Sequence, residues 1–329
     1  MVPLSILELV RITEATDARV ALDQARDLAH HAETYGYHRI WVAEHHNMPG
    51  IASAATSIAI AHIAAGSKSI RVGAGGIMLP NHPPLVIAEQ FGTLARLFPD
   101  RIDLGLGRAP GTDQATLRAL RRSPSAADTF PQDVIELQQY FAETEPTARV
   151  QAVPAAGTNV PIWILGSSKF GASLAAHLGL PYAFASHFAP AQLLSALQIY
   201  RDSFRPSAQL KKPYAMVGVN IIAADSDNEA RRLATSQQMS FTDLLRGTPA
   251  LSRAPINNID DYWTAFERVR AGQMLTRSIY GCPDTVRSGV RSLIEETRAD
   301  ELIVVSDVFD HQARLHSFEL IAQACKDLE

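Results

Sequence analysis

The stretch Arg39–Asn47, RIWVAEHHN, runs four apolar residues, Ile40 to Ala43, straight into a carboxylate and two adjacent histidines. A short continuous apolar run reads as a strand buried on both faces, and strands of that kind belong to parallel sheets covered by helices. Titratable side chains at the end of such a strand matter because several α/β folds place their chemistry there. The reading of Glu44, His45 and His46 therefore depends on what surrounds this strand.

Outward from it the chain alternates. Strand-like runs occur at Ser5–Leu9, Arg39–Glu44, Ser69–Leu79, Arg101–Gly107, Pro161–Gly166, Tyr182–Ser186, Tyr214–Ala224 and Glu301–Ser306. Helical periodicity follows each of them: Asp17–Tyr35 with Asp17 as N-cap, Ser53–Ala65, Pro84 to about Phe98, Phe130–Ala142, Lys169–Leu178, Pro190–Phe204, Ser226–Leu245 and His311–Asp327. Parallel strands need a crossover, and eight strand–helix units favour a closed (β/α)8 TIM barrel over an open sheet. The remaining residues read as rim-loop insertions near 109–129, 144–159 and 247–298, the last with helices around Asp261–Leu275 and Asp284–Thr297. No linker separates domains, so residues 1–329 are expected to form one barrel.

Composition excludes several classes of function. The 329 residues are 47% hydrophobic and 19% charged with a formal charge of −4, which gives no global attraction to nucleic acid or an anionic membrane. Cys282 and Cys325 supply neither a disulfide framework nor a CxxC metal site, as suits a reducing, cytoplasmic setting. The N-terminal run is broken by Glu8 and Arg11 and lacks a leader pattern, and Ile51–Ser67 falls short of the roughly 20 apolar residues of a membrane span.

In a barrel, the carboxyl ends of the strands share one rim. That rim would collect Glu8, Glu44, His45, His46, the GAGG of Gly73–Gly76, Arg108, Ser167, Ser168 and His187. Two adjacent histidines at a strand end are more often one packed and one exposed, and GAGG marks close backbone approach to chain or ligand alike. EHH with lone His62 and His82 lacks the spacing of a zinc site, so no metal is expected. GLGRAPG, Gly105–Gly111, has Pro110 where a dinucleotide loop has its third glycine. Arg108 and the serines that open the helix after strand five are more informative. Together they suit a phosphate, although either serine can also be a plain N-cap.

Glu44-His45-His46, GAGGIMLP (Gly73–Pro80), AEQ (Ala88–Gln90), DRIDLGLGRAPGTD (Asp100–Asp113), PIWILGSS (Pro161–Ser168) and AAHLGLPYAFASHFAP (Ala175–Pro190) jointly resemble the bacterial luciferase-like family of flavin-dependent monooxygenases, over almost the whole chain. The resemblance implies a TIM barrel that takes reduced FMN from a separate reductase and reacts it with O2. A flavin C4a-hydroperoxide would then oxidise a small organic substrate. Arg108, Ser167 and Ser168 would bind the flavin phosphate, and Gly75 and Gly76 would lie under the ring, in a segment that in relatives holds a non-prolyl cis peptide. His45 would be the catalytic acid/base, with Glu44 orienting a histidine or satisfying backbone donors. Leu7, Trp41, Ile77, Met78, Phe184 and His187, with the insertion near Gly247–Leu275, would shape the substrate pocket. The light-emitting subunit has a cysteine at the position of Gly107 and an acidic residue at Ser167, departures that bear on light emission and not on flavin binding. Family members commonly pair their barrels, and the helix from Ser53 to Ala65 is a candidate for a homodimer contact or a buried helix. An F420-dependent hydride-transfer enzyme and a flavin-binding protein without turnover are the alternative readings.

Overall fold

The computed structural model describes residues 2–109, 113–143 and 147–328, so Pro110, Gly111 and part of the 144–159 insertion lie outside the described residues. Among the described residues nine strands form: β1 (Leu4–Glu8), β2 (Arg39–Val42), β3 (Arg71–Met78), β4 (Ile102–Gly107), β5 (Ile162–Gly166), β6 (Tyr182–Phe184), β7 (Ala215–Ala223), β8 (Ile279–Gly281) and β9 (Glu301–Val305). All pairings between them are parallel. β1 to β7 pair in sequence order, β7 pairs β9 and β9 pairs β1, which closes an eight-membered ring. The helices are α1 (Ala18–Tyr35), α2 (Thr56–Ala65), α3 (Pro84–Leu97), α4 (Gln114–Ala119), α5 (Phe130–Phe141), α6 (Lys169–Leu178), α7 (Leu193–Asp202), α8 (Asp227–Arg246), α9 (Ala265–Met274), α10 (Pro283–Thr297) and α11 (His311–Cys325). The expected (β/α)8 barrel is thus the observed one.

The apolar runs are continuous because both faces of each strand are covered. Ile6, Ile40, Val72, Leu104 and Leu302 join the outer core with Leu28, Ile60, Phe91 and Phe318 of the helices. Their neighbours Leu7, Trp41 and Ile303 enter the lumen with Trp163, Ala183 and Met216, as the period of two along a strand requires. Helix ends follow their local chemistry. Asp17 caps α1 by accepting from the Val20 N–H at 2.9 Å, and Gly36 ends it at φ 85°, where glycine pays no Cβ penalty.

Several elements differ from the sequence reading. Ser53 lies outside α2 because its hydroxyl donates to the Ala43 carbonyl at 2.6 Å, tying the loop to β2. A 3-10 turn, Pro190–Gln192, precedes α7. The helix expected from Asp261 begins at Ala265, where Thr264 and Glu267 form a capping box. The unexpected β8 is three residues long and pairs with the carboxyl half of β7, outside the ring. The glycines of GLG also prove to be strand residues. A Cβ on Gly105 would lie 2.2 Å from the Ala74 carbonyl oxygen, so this glycine serves close strand packing and not a nucleotide loop.

The amino end of the lumen is closed by charge. Arg39 donates to Asp103 at 2.7 Å and to Glu301 at 2.8 and 3.2 Å, all three residues being buried. Arg71 also pairs with Asp103, while Tyr214 donates to Glu301 at 2.9 Å. Above this layer Trp41, Trp163 and Tyr214 pack edge to face, with the Arg39 guanidinium 4.8 Å from the Trp163 ring. Trp41 Nε1 is anchored to Asp103 at 3.1 Å. These side chains fill the amino end of the lumen.

Candidate active site

At that rim a cavity of about 810 Å3 opens over the indole of Trp41. Leu7, Trp41, Leu165, Ala183 and Ile303 make an apolar floor, and Gly75 and Gly76 lie along it. The Gly75–Gly76 peptide is cis, in the segment where the family resemblance implied one. A Cβ on Gly75 would come within 2.7 Å of Leu7 Cδ1, and one on Gly76 within 2.7 Å of the Gly105 carbonyl oxygen. Side chains are thus excluded from this part of β3. Phe241 and Leu244 of α8, with Pro249 and Ala250 beyond it, form the roof. The roof segment is held down by backbone hydrogen bonds from Ser252 N to Ile12 O at 3.0 Å and from Glu14 N to Ser252 O at 2.9 Å.

At one end of the cavity Arg108 leaves β4 beside the start of α6. Its guanidinium lies 4.0 Å from the centre of the Phe170 ring, and it enters no ion pair among the described residues. Ser168 is the N-cap of α6 but makes no side-chain capping bond; the Lys169 N–H donates instead to Gln192 Oε1 at 3.3 Å, and Ser167 and Ser168 line the cavity beside Arg108. All the expected ligands of a phosphate, Arg108, Ser167 and Ser168, line one cavity with Gly75 and Gly76.

His45 and His46 separate into different environments. His45 faces the cavity and makes no side-chain hydrogen bond among the described residues; burial, reinforced by the Arg11 charge, holds its pKa at about 4. It is a neutral imidazole at neutral pH. His187 shares the cavity wall, stacks edge to face on Phe188, and is held at about 4 by burial and then by His45. Glu44 serves others. Its Oε1 accepts from His46 Nε2 at 2.7 Å and His82 Nε2 at 2.8 Å, and its Oε2 from the Met78 N–H at 3.0 Å. Burial raises its pKa, yet these donors outweigh that and hold it at about 2, while the same bond raises His46.

Of the expected pocket residues, Leu7, Trp41, Met78, Phe184 and His187 all line the cavity, whereas Ile77 belongs to the outer core. Glu44 lies beside the cavity and orients His46 and His82, not His45. The spacing of EHH and His82 hid the convergence of Glu44, His46 and His82, whose ligand atoms lie within 4.8 Å of one another at hydrogen-bond separations. Glu8 is turned the other way by strand alternation and accepts from Arg314 and the Val10 N–H, each at 2.5 Å. Arg11, Asp307, Gly218, Asn220 and Gln237 line the cavity but were not singled out in the sequence. Gly218 makes room for the His187 ring, since a Cβ there would sit 2.6 Å from Nδ1. Asn220 then holds the His187 carbonyl at 2.5 Å and is itself held by Gln237 at 3.0 Å.

The two depressed histidines set a pH dependence. An unfolded histidine titrates near 6.5, so between about pH 6.5 and 4 the unfolded chain binds more protons than the folded one. Stability from this source is full above pH 6.5 and is lost as pH falls toward 4. Urea denaturation at pH 7 and pH 5 should show a smaller loss in His45→Gln/His187→Asn than in the parent; an equal loss would assign the acid sensitivity elsewhere.

Fold and cavity define a parallel (β/α)8 barrel with a cavity at the carboxyl rim, the place where barrel enzymes carry their active sites. Among barrel enzymes, the chain belongs to the luciferase-like monooxygenase family, whose profile matches residues 2–301. It is 54% identical to a luciferase-like monooxygenase of Escherichia coli K12 over 98% of this chain and 97% of the relative. It superimposes on apo-MsnO8 with a TM-score of 0.87 at 32% identity, covering 100% and 99% of the two chains. The same barrel recurs, at 17% and 13% identity and TM-scores of 0.70 and 0.69, in the FMN-bound oxygenating component of 3,6-diketocamphane monooxygenase and in an F420-dependent secondary alcohol dehydrogenase, each covering 99% of this chain and 97% and 99% of its own. Among the described residues no helix is long and apolar enough to cross a membrane.

Proposed function

We propose that the protein is an FMN-dependent monooxygenase that uses reduced FMN and O2 to oxidise a small organic molecule. The observation that carries this reading is the Arg108 guanidinium, which enters no ion pair among the described residues, beside Ser167 and Ser168 at the start of α6, on a cavity that Gly75 and Gly76 line without side chains. A dianionic phosphate fits that end, through charge-assisted hydrogen bonds and the helix dipole. A flat apolar ring fits the floor beside it. FMN offers both at once.

Bound there in reduced form, FMN supplies the two electrons that let O2 place one oxygen atom in a substrate and release the other as water. The chain does the rest. Arg108, Ser167 and Ser168 hold the phosphate, and the roof from Phe241 to Ala250 sheds water from the floor. His45, neutral and without a competing partner, accepts a proton at the reacting end. Reduced FMN is supplied by a separate reductase, so oxidised FMN and NAD(P)H alone should give negligible turnover. A homodimer through α2 suits the same reading, because Ile58 is 71% exposed while Ile60 and Ile63 are fully buried.

The cofactor assignment is tested at Arg108. A hydrogen bond to a charged group contributes about 1.5–3 kcal/mol, so Arg108→Ala should weaken anaerobic binding of reduced FMN by roughly 10- to 100-fold. Reduced riboflavin, which lacks the phosphate, should bind parent and variant alike. Equal losses for both ligands would remove the phosphate from this site.

A further inference from the structure

His187 is braced more firmly than a wall residue needs, and the proton-accepting role of His45 leaves it unused. The Ser186 hydroxyl donates to the Gly218 carbonyl, and Asn220 Nδ2 donates both to the His187 carbonyl and, at 3.1 Å, to Ser278 Oγ. Gln237 holds Asn220 at 3.0 Å and itself accepts from the Tyr280 hydroxyl at 2.9 Å, so α8 and β8 together fix the His187 backbone. The two ring nitrogens meet different surroundings. Nδ1 is buried with no hydrogen-bond partner among the described residues. A Cβ on Gly218 would lie 2.6 Å from it, so the Cα hydrogen that glycine carries in that place points at Nδ1. A lone pair is compatible with a C–H there, whereas an N–H would press hydrogen against hydrogen and remain a buried donor without an acceptor. The proton of the neutral ring therefore sits on Nε2. That nitrogen keeps accessible surface and makes no hydrogen bond with the described residues, so it opens on the cavity that His187 lines. The contact with Gly218 also keeps a second proton off Nδ1, in line with the burial that holds this histidine at about 4.

We propose that His187 is a fixed hydrogen-bond donor to the cofactor, a neutral imidazole that offers its Nε2 proton to a ring oxygen of reduced FMN. The inference rests on the FMN reading, which lays the flavin ring on the cavity floor. Strand β6 supplies Ala183 to that floor, and His187 follows the end of the same strand. Reduced flavin is an anion whose charge spreads onto a carbonyl oxygen of the ring, and a hydrogen bond to a charged acceptor is stronger than one to a neutral acceptor. A donor held at the ring therefore favours reduced over oxidised FMN. The two cavity histidines divide the work: His45 accepts a proton, and His187 holds one in place.

The test joins NMR of protein carrying nitrogen-15 in its histidines, before and after anaerobic loading with reduced FMN, to FMN affinities of two variants. The His187 signals are assigned by their loss in His187→Phe. Without flavin, His187 should show a protonated Nε2 and a bare Nδ1 from about pH 6 to 8, and loading should shift its Nε2 proton downfield. His187→Phe keeps a ring against Phe188 and should weaken reduced FMN about tenfold but oxidised FMN by less than about threefold. His187→Gln, which restores an N–H near the place of Nε2, should recover most of that loss. A proton on Nδ1, an Nε2 proton that loading leaves unmoved, or equal losses of reduced and oxidised FMN in His187→Phe would each overturn the proposal. The parent spectrum decides the matter even where a variant folds poorly. Failure of the parent to bind reduced FMN would overturn the FMN reading and this inference with it, whereas binding with an unmoved Nε2 proton would overturn this inference alone.

Discussion

Replacement of His45 by alanine is expected to lower the rate of substrate oxygenation by 10²- to 10⁴-fold, the usual contribution of a positioned acid or base. The rate is read as product formed in a single turnover of protein loaded with reduced FMN, mixed with O2 and an organic probe that the parent oxygenates. Affinity for reduced FMN should stay within about twofold, because the phosphate end of the cavity is untouched. The pH profile adds a second check. With its pKa held at about 4 by burial and then by Arg11, His45 is neutral from pH 8 down to about 5. As a proton acceptor it imposes no loss of rate over that range. A parent rate that falls with an apparent pKa near 6.5 would contradict the assignment, and an alanine variant as fast as the parent would remove His45 from the chemistry.

The second large effect concerns the closed end of the lumen. Arg39→Met removes the cation shared by Asp103 and Glu301, leaving two buried carboxylates with only Arg71, Tyr214 and Ser5 as side-chain partners beside the Trp41 indole. Breaking one partner out of a buried pair typically costs 3–5 kcal/mol, a large part of the stability of an ordinary domain. Urea denaturation should therefore show Arg39→Met shifted far below the parent, and Arg39→Met/Glu301→Gln partly restored because one stranded charge is gone. The floor includes Trp41, which packs on Trp163 beneath it, so cofactor binding should weaken in the single variant as well. A single variant as stable as the parent would mean that the charges are solvated by some other route.

Much of this was legible in the sequence because burial on both faces leaves a plain mark. IWVA (Ile40–Ala43), LIVV (Leu302–Val305) and AMVGVNIIA (Ala215–Ala223) are apolar almost throughout, and each lies on a ring strand with one parity in the outer core and the other in the lumen. β8 left no such mark, being three residues that gain their place only by pairing with the end of β7. The site was legible where strand ends carry polar residues in series, as at Glu44–His46, Arg108 and Ser167–Ser168. It was hidden wherever closure of the barrel makes neighbours of distant residues. Arg11 and Asp307 are near opposite ends of the chain and meet because β1 pairs with β9. His82 reaches Glu44 by way of β3, across 38 positions. Glu8 stood at a strand end too, but the inward turn of Leu7 sends its carboxylate outward to Arg314. Parity, and not proximity to the rim, decides which side chain enters the cavity.

The most direct test of the central claim is anaerobic titration of the protein with reduced FMN and, separately, with reduced F420, followed by fluorescence quenching. The account predicts saturable binding of one reduced FMN per chain, weakened in Arg108→Ala, with reduced F420 binding more weakly. Binding of reduced F420 without binding of reduced FMN would contradict it and make the protein a hydride-transfer enzyme on the same barrel.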